Sequence, residues 1–318
     1  MQYLLSLLLL ICIQFSFAKK KNIVFEFEPQ IEQLISLSDS LFYSNTIMGK
    51  INANNEFRQV LRSILKDSTS IQYDFSRVKC LSVLNDPRGK FRFYTWTLKT
   101  NNADYDYFGF TQYQRKRKKS ILGAVKIENF VYELTNKSNE IGNNEYVKLD
   151  SSNWYGCVYY NIVPAPKSRD HTYILIGWDG FGYRSTKKII ETVKFNSKGV
   201  ISFGHKIIRY NENRVGKAKV VSKARLIFEY NGQVSVTVNF NKNLEMIVFD
   251  HLSPTNPALA SLKFTYAPDF TYDALKYEKK KWIHRSDIDV RNREEVKAVK
   301  WKPKDIKGRT AETLIPER

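Results

Sequence analysis

Two hydrophobic periods divide the chain. Between residues 28 and 67 apolar residues recur three and four apart. Phe57, Val60, Leu61, Ile64 and Leu65 follow the i, i+3, i+4, i+7, i+8 rule, and Ile31, Leu34, Ile35 and Leu41 lie near one face of a second such pattern. Pro29 suits a first helical position, where a missing N–H costs nothing. Asn54 or Asn55 offers a cap to the second segment. This stretch predicts two helices, joined by an Asn- and Gly-containing loop, that cover one face or end of a sheet.

From about Ile71 the period shortens to two. Lys90 to Leu98 alternates apolar and polar residues after the turn Asn85-Asp-Pro-Arg-Gly89. Further strands are expected at Tyr105–Tyr113, Ile127–Leu134, Val158–Val163, Tyr173–Trp178, Lys188–Phe195, Ile201–Arg209, Arg225–Tyr230, Ser235–Phe240 and Glu245–Asp250. Asn196-Ser-Lys-Gly199 reads as a hairpin turn, and Asn231-Gly232 is a strong two-residue hairpin signal. With Asn241-Lys-Asn243 it makes the last three strands an antiparallel meander. The turn-then-strand at Asn85 resembles the opening of a propeller blade but does not repeat, and a propeller needs repetition. Strands without intervening helices predict a mainly β (α+β) fold: an antiparallel β-sandwich or open barrel carrying an N-terminal helical pair. The expected division is 1–18 as a leader, 19–70 as the helical segment, 71–290 as the β domain and 291–318 as a polar tail.

The leader changes the picture most. Leu4 to Ile13 form a short apolar core, and Ser16-Phe17-Ala18 place small residues at −3 and −1 for cleavage before Lys19. The segment before the core lacks Lys and Arg, so only the α-amino group is charged there. The apolar run is too short to span a bilayer comfortably, and no other run could anchor the chain. Cys12 follows Ile11 rather than a small residue, which argues against lipid attachment. The expectation is a periplasmic or secreted protein without a transmembrane anchor. Cleavage would leave Cys80 and Cys157, which could form one disulfide in an oxidising compartment or stay as two buried thiols.

Charge narrows the partners. The 318 residues carry 51 Lys and Arg against 32 Asp and Glu, a formal net charge of +19. The lysines are spread along the chain, and Arg115-Lys-Arg-Lys-Lys119 is the single dense run. Spread charge serves solubility rather than a nucleic-acid face. The run itself reads as a solvated hairpin loop, or as a contact for anionic polysaccharide, lipid headgroups or an acidic partner, so that an anionic envelope polymer or another envelope protein is a candidate partner.

Candidate chemistry gathers late. Asp250, His251, Asp269, Asp273, Asp287 and Asp289 fall among Tyr, Phe, Trp and Pro between Glu245 and Asp289. Asp250 and His251 are neighbours at the end of a strand, where adjacent side chains point to opposite faces, which works against a dyad between them. Asp269 and Asp273 would share a face in a helical turn or converge in a loop. Asp287 and Asp289 would point the same way in a strand. Such oxygens could hold Ca²⁺, although no EF-hand spacing is present; as turn formers and caps they need no ligand. Gly177-Trp-Asp-Gly180 places Trp178 and Asp179 at a turn, as a rim that stacks on a ligand or as a tight turn with a half-buried indole. His171, His205, His251 and His284 are too dispersed to suggest a metal spacing. No nucleophile elbow, zinc-protease helix, phosphate loop or cofactor motif occurs.

From about Cys80 to Asn292 the chain resembles a family of uncharacterised exported proteins of Bacteroidetes-type bacteria. Lys90-Phe-Arg-Phe-Tyr-Thr-Trp96, Trp154-Tyr-Gly156, Gly177-Trp-Asp-Gly180, Ile189-Ile-Glu191, Phe203-Gly204 and Arg225-Leu-Ile-Phe-Glu-Tyr230 carry the resemblance, densest at Ile247-Val-Phe-Asp-His-Leu-Ser-Pro254, Pro268-Asp-Phe-Thr-Tyr-Asp273, Lys281-Trp-Ile and Asp287-Ile-Asp-Val-Arg-Asn292. It implies export and brings no activity or catalytic residues. The working expectation is a non-enzymatic binding or envelope-associated protein, with Trp178, Asp179, Asp250, His251, Asp269 and Asp273 as candidate ligand-binding residues. The alternative is a hydrolase acting on an envelope or extracellular polymer through the late carboxylates.

Overall fold

The computed structural model describes residues 25–100, 105–118, 125–142, 144–166, 172–214 and 217–291. The leader 1–18, Lys119 of the basic run, His171 and nearly all of the polar tail lie outside the described residues.

The N-terminal periodicity becomes α1 (Glu28–Tyr43) and α2 (Ile47–Lys66). Thr46, not Asn54 or Asn55, caps α2, its hydroxyl accepting the Gly49 N–H at 3.0 Å. The helix starts more than two turns earlier than the asparagines suggest. Asn54 lies buried on the inner face instead, where its Oδ1 accepts the Trp96 indole N–H at 2.8 Å. A buried indole nitrogen needs such a partner, and this one fixes the helix against the sheet below.

Fifteen strands follow among the described residues, in three sheets. Sheet 1 holds β1 (Ser82–Asn85), β2 (Phe91–Lys99), β3 (Tyr105–Lys118) and β4 (Val125–Thr135), in that order. Sheet 2 runs β11 (Arg225–Asn231), β7 (Ser185–Phe195), β6 (Thr172–Asp179), β5 (Val158–Pro164), with β8 (Ile201–Phe203) paired to β7. Sheet 3 runs β10 (Lys217–Lys223), β9 (Ile208–Arg214), β15 (Lys281–Arg285), β14 (Tyr266–Glu278), β13 (Met246–Pro254), β12 (Val238–Asn241). All pairs are antiparallel except β15 with β9.

The layers stack as helices, sheet 1, sheet 2, sheet 3, and three cores separate them. Tyr94, Trp96 and Leu98 of β2 pack with Phe57 and Leu61 of α2, while Phe91 and Phe93 turn to the other face and meet Tyr159, Tyr173 and Phe195 of sheet 2. Sheet 2 is covered on both sides: Tyr173 and Leu175 face sheet 1, whereas Ile174 and Ile176 join Ile247, Leu275 and Trp282 of sheet 3. Burial on both faces explains why Tyr173 to Ile176 is an unbroken apolar run rather than an alternating one. The architecture is therefore mainly β with sheets packed face to face and a helical pair on one side.

Four local expectations are corrected. Asn231-Gly232 does not join two paired strands: β11 pairs β7 in sheet 2, β12 pairs β13 in sheet 3, and the turn carries the chain between layers. The meander is instead β12 to β15. Ile201–Arg209 is not one strand but β8 and β9, broken at Gly204, whose φ of +80° suits glycine alone; a Cβ there would lie 2.3 Å from the Val147 carbonyl oxygen. Arg115 to Lys118 continue β3 rather than forming a loop, and Glu128 on β4 pairs with Arg115 and Arg117. Asp269 and Asp273 lie on β14, neither in a helical turn nor in a loop. The hairpin at Asn196–Gly199 joins β7 to β8 as the turn residues suggest, with Gly199 at φ +74°.

Candidate functional site

The site begins with an irregularity in the β13–β14 ladder. Asp250 pairs with Tyr272 and Leu252 with Pro268, so His251 alone faces Asp269, Phe270 and Thr271. Extra residues in one strand bend it and re-aim its side chains. Phe270 takes the strain, at φ +70° and 93% exposed. Asp269 closes the bend: its Oδ1 accepts the Thr271 N–H at 3.1 Å and hydroxyl at 2.7 Å, and its Oδ2 accepts the Ser253 hydroxyl at 2.7 Å. The carboxylate thereby comes within 3.8 Å of His251 Nε2.

The other side of the His251 ring meets Asp273. Nδ1 lies 2.9 Å from Asp273 Oδ2, and His284 Nε2 approaches the same oxygen at 3.1 Å. Asp273 Oδ1 accepts the Asp287 N–H at 3.2 Å. The backbone N–H of Asn211 donates to His284 Nδ1 at 3.3 Å, so the proton of that ring sits on Nε2 and is donated to Asp273. The carboxylate at Nδ1 favours the His251 tautomer with its proton there, in which Nε2 is an acceptor. Tyr210 stacks on His284 at 4.2 Å between ring centroids, and Phe249 flanks it at 6.0 Å.

Burial works against the charge on Asp273, only 3% exposed, but hydrogen bonds from His284 and His251 outweigh it and hold the carboxyl below its usual range. Asp269 behaves alike: burial resists ionisation, and the bonds from Ser253 and Thr271 overcome it.

His251, Ser253, Asp273 and His284 line a cleft of about 650 Å³ between sheets 2 and 3, and Asp269 adjoins it through its contacts with Ser253 and His251. Tyr210, Phe228, Phe249 and Tyr266 give it aromatic surface. A second ionic cluster lines it too. Lys223 Nζ meets Glu145 Oε2 at 2.5 Å and Glu212 Oε1 at 2.9 Å, and lies over the rings of Tyr210 and Tyr146 at 5.1 and 5.7 Å. Burial disfavours the Lys223 charge, yet the two glutamates raise its pKa above the usual value.

The sequence candidates therefore divide. His251, Asp269 and Asp273 come together. Asp250 lines the same cleft, but its Oδ2 accepts the Thr237 N–H at 2.6 Å. Its neighbour His251 finds its carboxylate across the ladder, as alternation along a strand requires. Asp287 and Asp289 line a separate hollow with Asn241, Met246 and Lys276. Trp178 and Asp179 lie at the end of β6, away from the residues lining the cleft. Trp178 packs edge-on against Tyr105 at 5.5 Å, and Asp179 is enclosed, accepting the hydroxyls of Tyr107 and Tyr155 and the Phe181 N–H. Cys80 belongs to the core between helices and sheet 1, and Cys157 to that between sheets 1 and 2; both are free thiols. Burial pushes the Cys80 thiol up to about 11 and the Cys157 thiol well above its usual range.

His284, Lys223, Glu145 and Glu212 were not singled out in the sequence. The Lys281-Trp-Ile-His-Arg alternation could have marked a strand with Trp282 and His284 on one side, but nothing in the spacing pairs His284 with Asp273. Among the described residues no group of three or more His, Cys, Asp or Glu is arranged to hold a metal ion, and no helix is long and apolar enough to cross a membrane. Comparisons with protein-family models, curated proteins and solved structures gave no match to this chain.

Proposed function

We propose that the protein is exported and acts as a binding protein of the cell envelope or exterior, with its ligand in the cleft between sheets 2 and 3. The observation that carries the reading is the cleft itself: about 650 Å³, aromatic on part of its wall, with a few polar groups whose directions are fixed by neighbours. Export rests on the leader-like residues 1–18 and on the resemblance to exported proteins drawn above. Two measurements test it. Cell fractionation with N-terminal analysis should find a chain beginning at Lys19 outside the cytoplasm. Immobilised protein should retain a component of envelope extract that Ser253→Trp, which fills the cleft, releases. A full-length cytoplasmic chain, or equal retention by both proteins, overturns it.

One observation favours a second reading, a hydrolase: His251 is oriented by a buried carboxylate in the manner of a general base. Turnover of an envelope polymer that His251→Gln abolishes without loss of binding would establish it over the first.

A further inference from the structure

The two polar ends of the cleft share one chemistry. At the first, the ammonium of Lys223 sits between two carboxylates and over two tyrosine faces. Cation–π attraction and paired carboxylates make this a complete ammonium site, served by the chain's own lysine. A second lysine follows the same rule: Lys263 Nζ lies 3.9 Å from the centre of the Tyr266 ring, and both residues line the cleft.

At the other end His251 lines the cleft, and Asp269, beside it and bonded to the cleft-lining Ser253, adds a carboxylate. With Nδ1–H committed to Asp273, His251 offers Nε2 as an acceptor; 3.8 Å away Asp269 offers Oδ2, on a carboxyl held ionised by Ser253 and Thr271. Two acceptors facing each other at that separation are reconciled by a shared donor. A proton on Nε2 is one such donor. A primary ammonium is another, because two of its N–H bonds reach one acceptor each and its charge neutralises the carboxylate. A hydroxyl donates only once and brings no charge, and an anion meets the carboxylate directly. Tyr210 links the ends, facing Lys223 with its ring and stacking on His284.

We propose that the His251–Asp269 pair binds a primary ammonium group carried by a small ligand. The assignment rests on the cleft being a binding site and names the chemistry that it recognises.

Histidine-resolved NMR titration of the mature chain tests the proposal, with benzylammonium and benzyl alcohol as probes of equal size. At pH 8 benzylammonium should shift the His251 ring signals and bind at least tenfold more tightly than benzyl alcohol. Asp269→Asn, which keeps the shape of the bend, should cost a similar factor at pH 8; His251→Gln serves as the second variant if that one does not fold. Equal response to both probes, or no response at His251, overturns the ammonium assignment. A component of envelope extract that Ser253→Trp releases would still uphold the wider binding reading in each of those cases.

Discussion

Asp179 and Asp273 are both buried, 4% and 3% exposed, and each accepts three hydrogen bonds from the protein. Yet they lean in opposite directions. Around Asp179 the donors are two phenols and a backbone N–H, with Lys187 nearby; burial still wins and its pKa rises. Around Asp273 two of the donors are imidazoles; burial loses and the pKa falls. Equal burial therefore says little about a carboxylate until its partners are known. Asp179 faces only groups that saturate it, so it serves as a structural clasp at the end of β6. Asp273 passes its influence through the ring of His251, a cleft residue with its side chain 41% exposed, to the nitrogen that faces Asp269.

Asp179→Ala should show the largest effect. It strands two phenol hydroxyls and a backbone N–H in the interior, and at about 1 to 3 kcal/mol for each unsatisfied group the loss should reach about 3 kcal/mol or more, read from the denaturant midpoint. Asp179→Asn should cost much less, because an amide can accept as the carboxyl does. Asp273→Asn should come next, at about 1.5 to 3 kcal/mol, the range for hydrogen bonds to a charged group.

The pH profiles separate the two more sharply. Asp273 has a depressed folded pKa, so the folded state binds fewer protons than the unfolded one; its contribution is complete above the ordinary carboxylate range and is lost as pH falls through the depressed value. Asp179 has a raised folded pKa, so its contribution is fullest in acid and is lost as pH rises from the ordinary range through the raised value. Asp273→Asn should flatten the acid limb of the stability curve, and Asp179→Asn should make stability hold better toward neutrality. The same slope change in both variants would remove the distinction.

Smaller effects follow. Neither thiol should react readily with a thiol reagent in the native protein, and both should on unfolding, since Cys157 is buried, Cys80 is partly buried against a different core, and both have raised pKa values. One fewer reactive thiol pair after unfolding without reductant would mean that they bond after all. Phe270→Asn should stabilise by a few tenths of a kcal/mol, because asparagine tolerates the left-handed backbone better than phenylalanine does.

Much of this fold was legible because local rules and global packing agree. The three-and-four spacing of Phe57 to Leu65 gives α2, and Asn196 to Gly199 gives a hairpin. The Asn231-Gly232 turn was misassigned to a hairpin because turn chemistry fixes a reversal without naming which strands pair; layer packing decided that. Strands β14 and β15 were hidden by Pro268, by the charged runs, and by the bend at Asp269 to Thr271, which breaks the alternation. The candidate site was half legible. His251, Asp269 and Asp273 stood out as polar groups among aromatics. His284 did not, since Asp273 reaches it only through the β14–β15 register that sets Leu275 opposite His284.

The most direct measurement is the tautomer of His251, read at pH 8 from long-range ¹H–¹⁵N couplings. The geometry predicts the proton on Nδ1 and a bare Nε2, with Asp273→Asn releasing the ring to a mixture of both forms. A proton on Nε2 in the unaltered protein, or a tautomer indifferent to Asp273, would contradict the claim that this carboxylate holds the imidazole ready for a ligand.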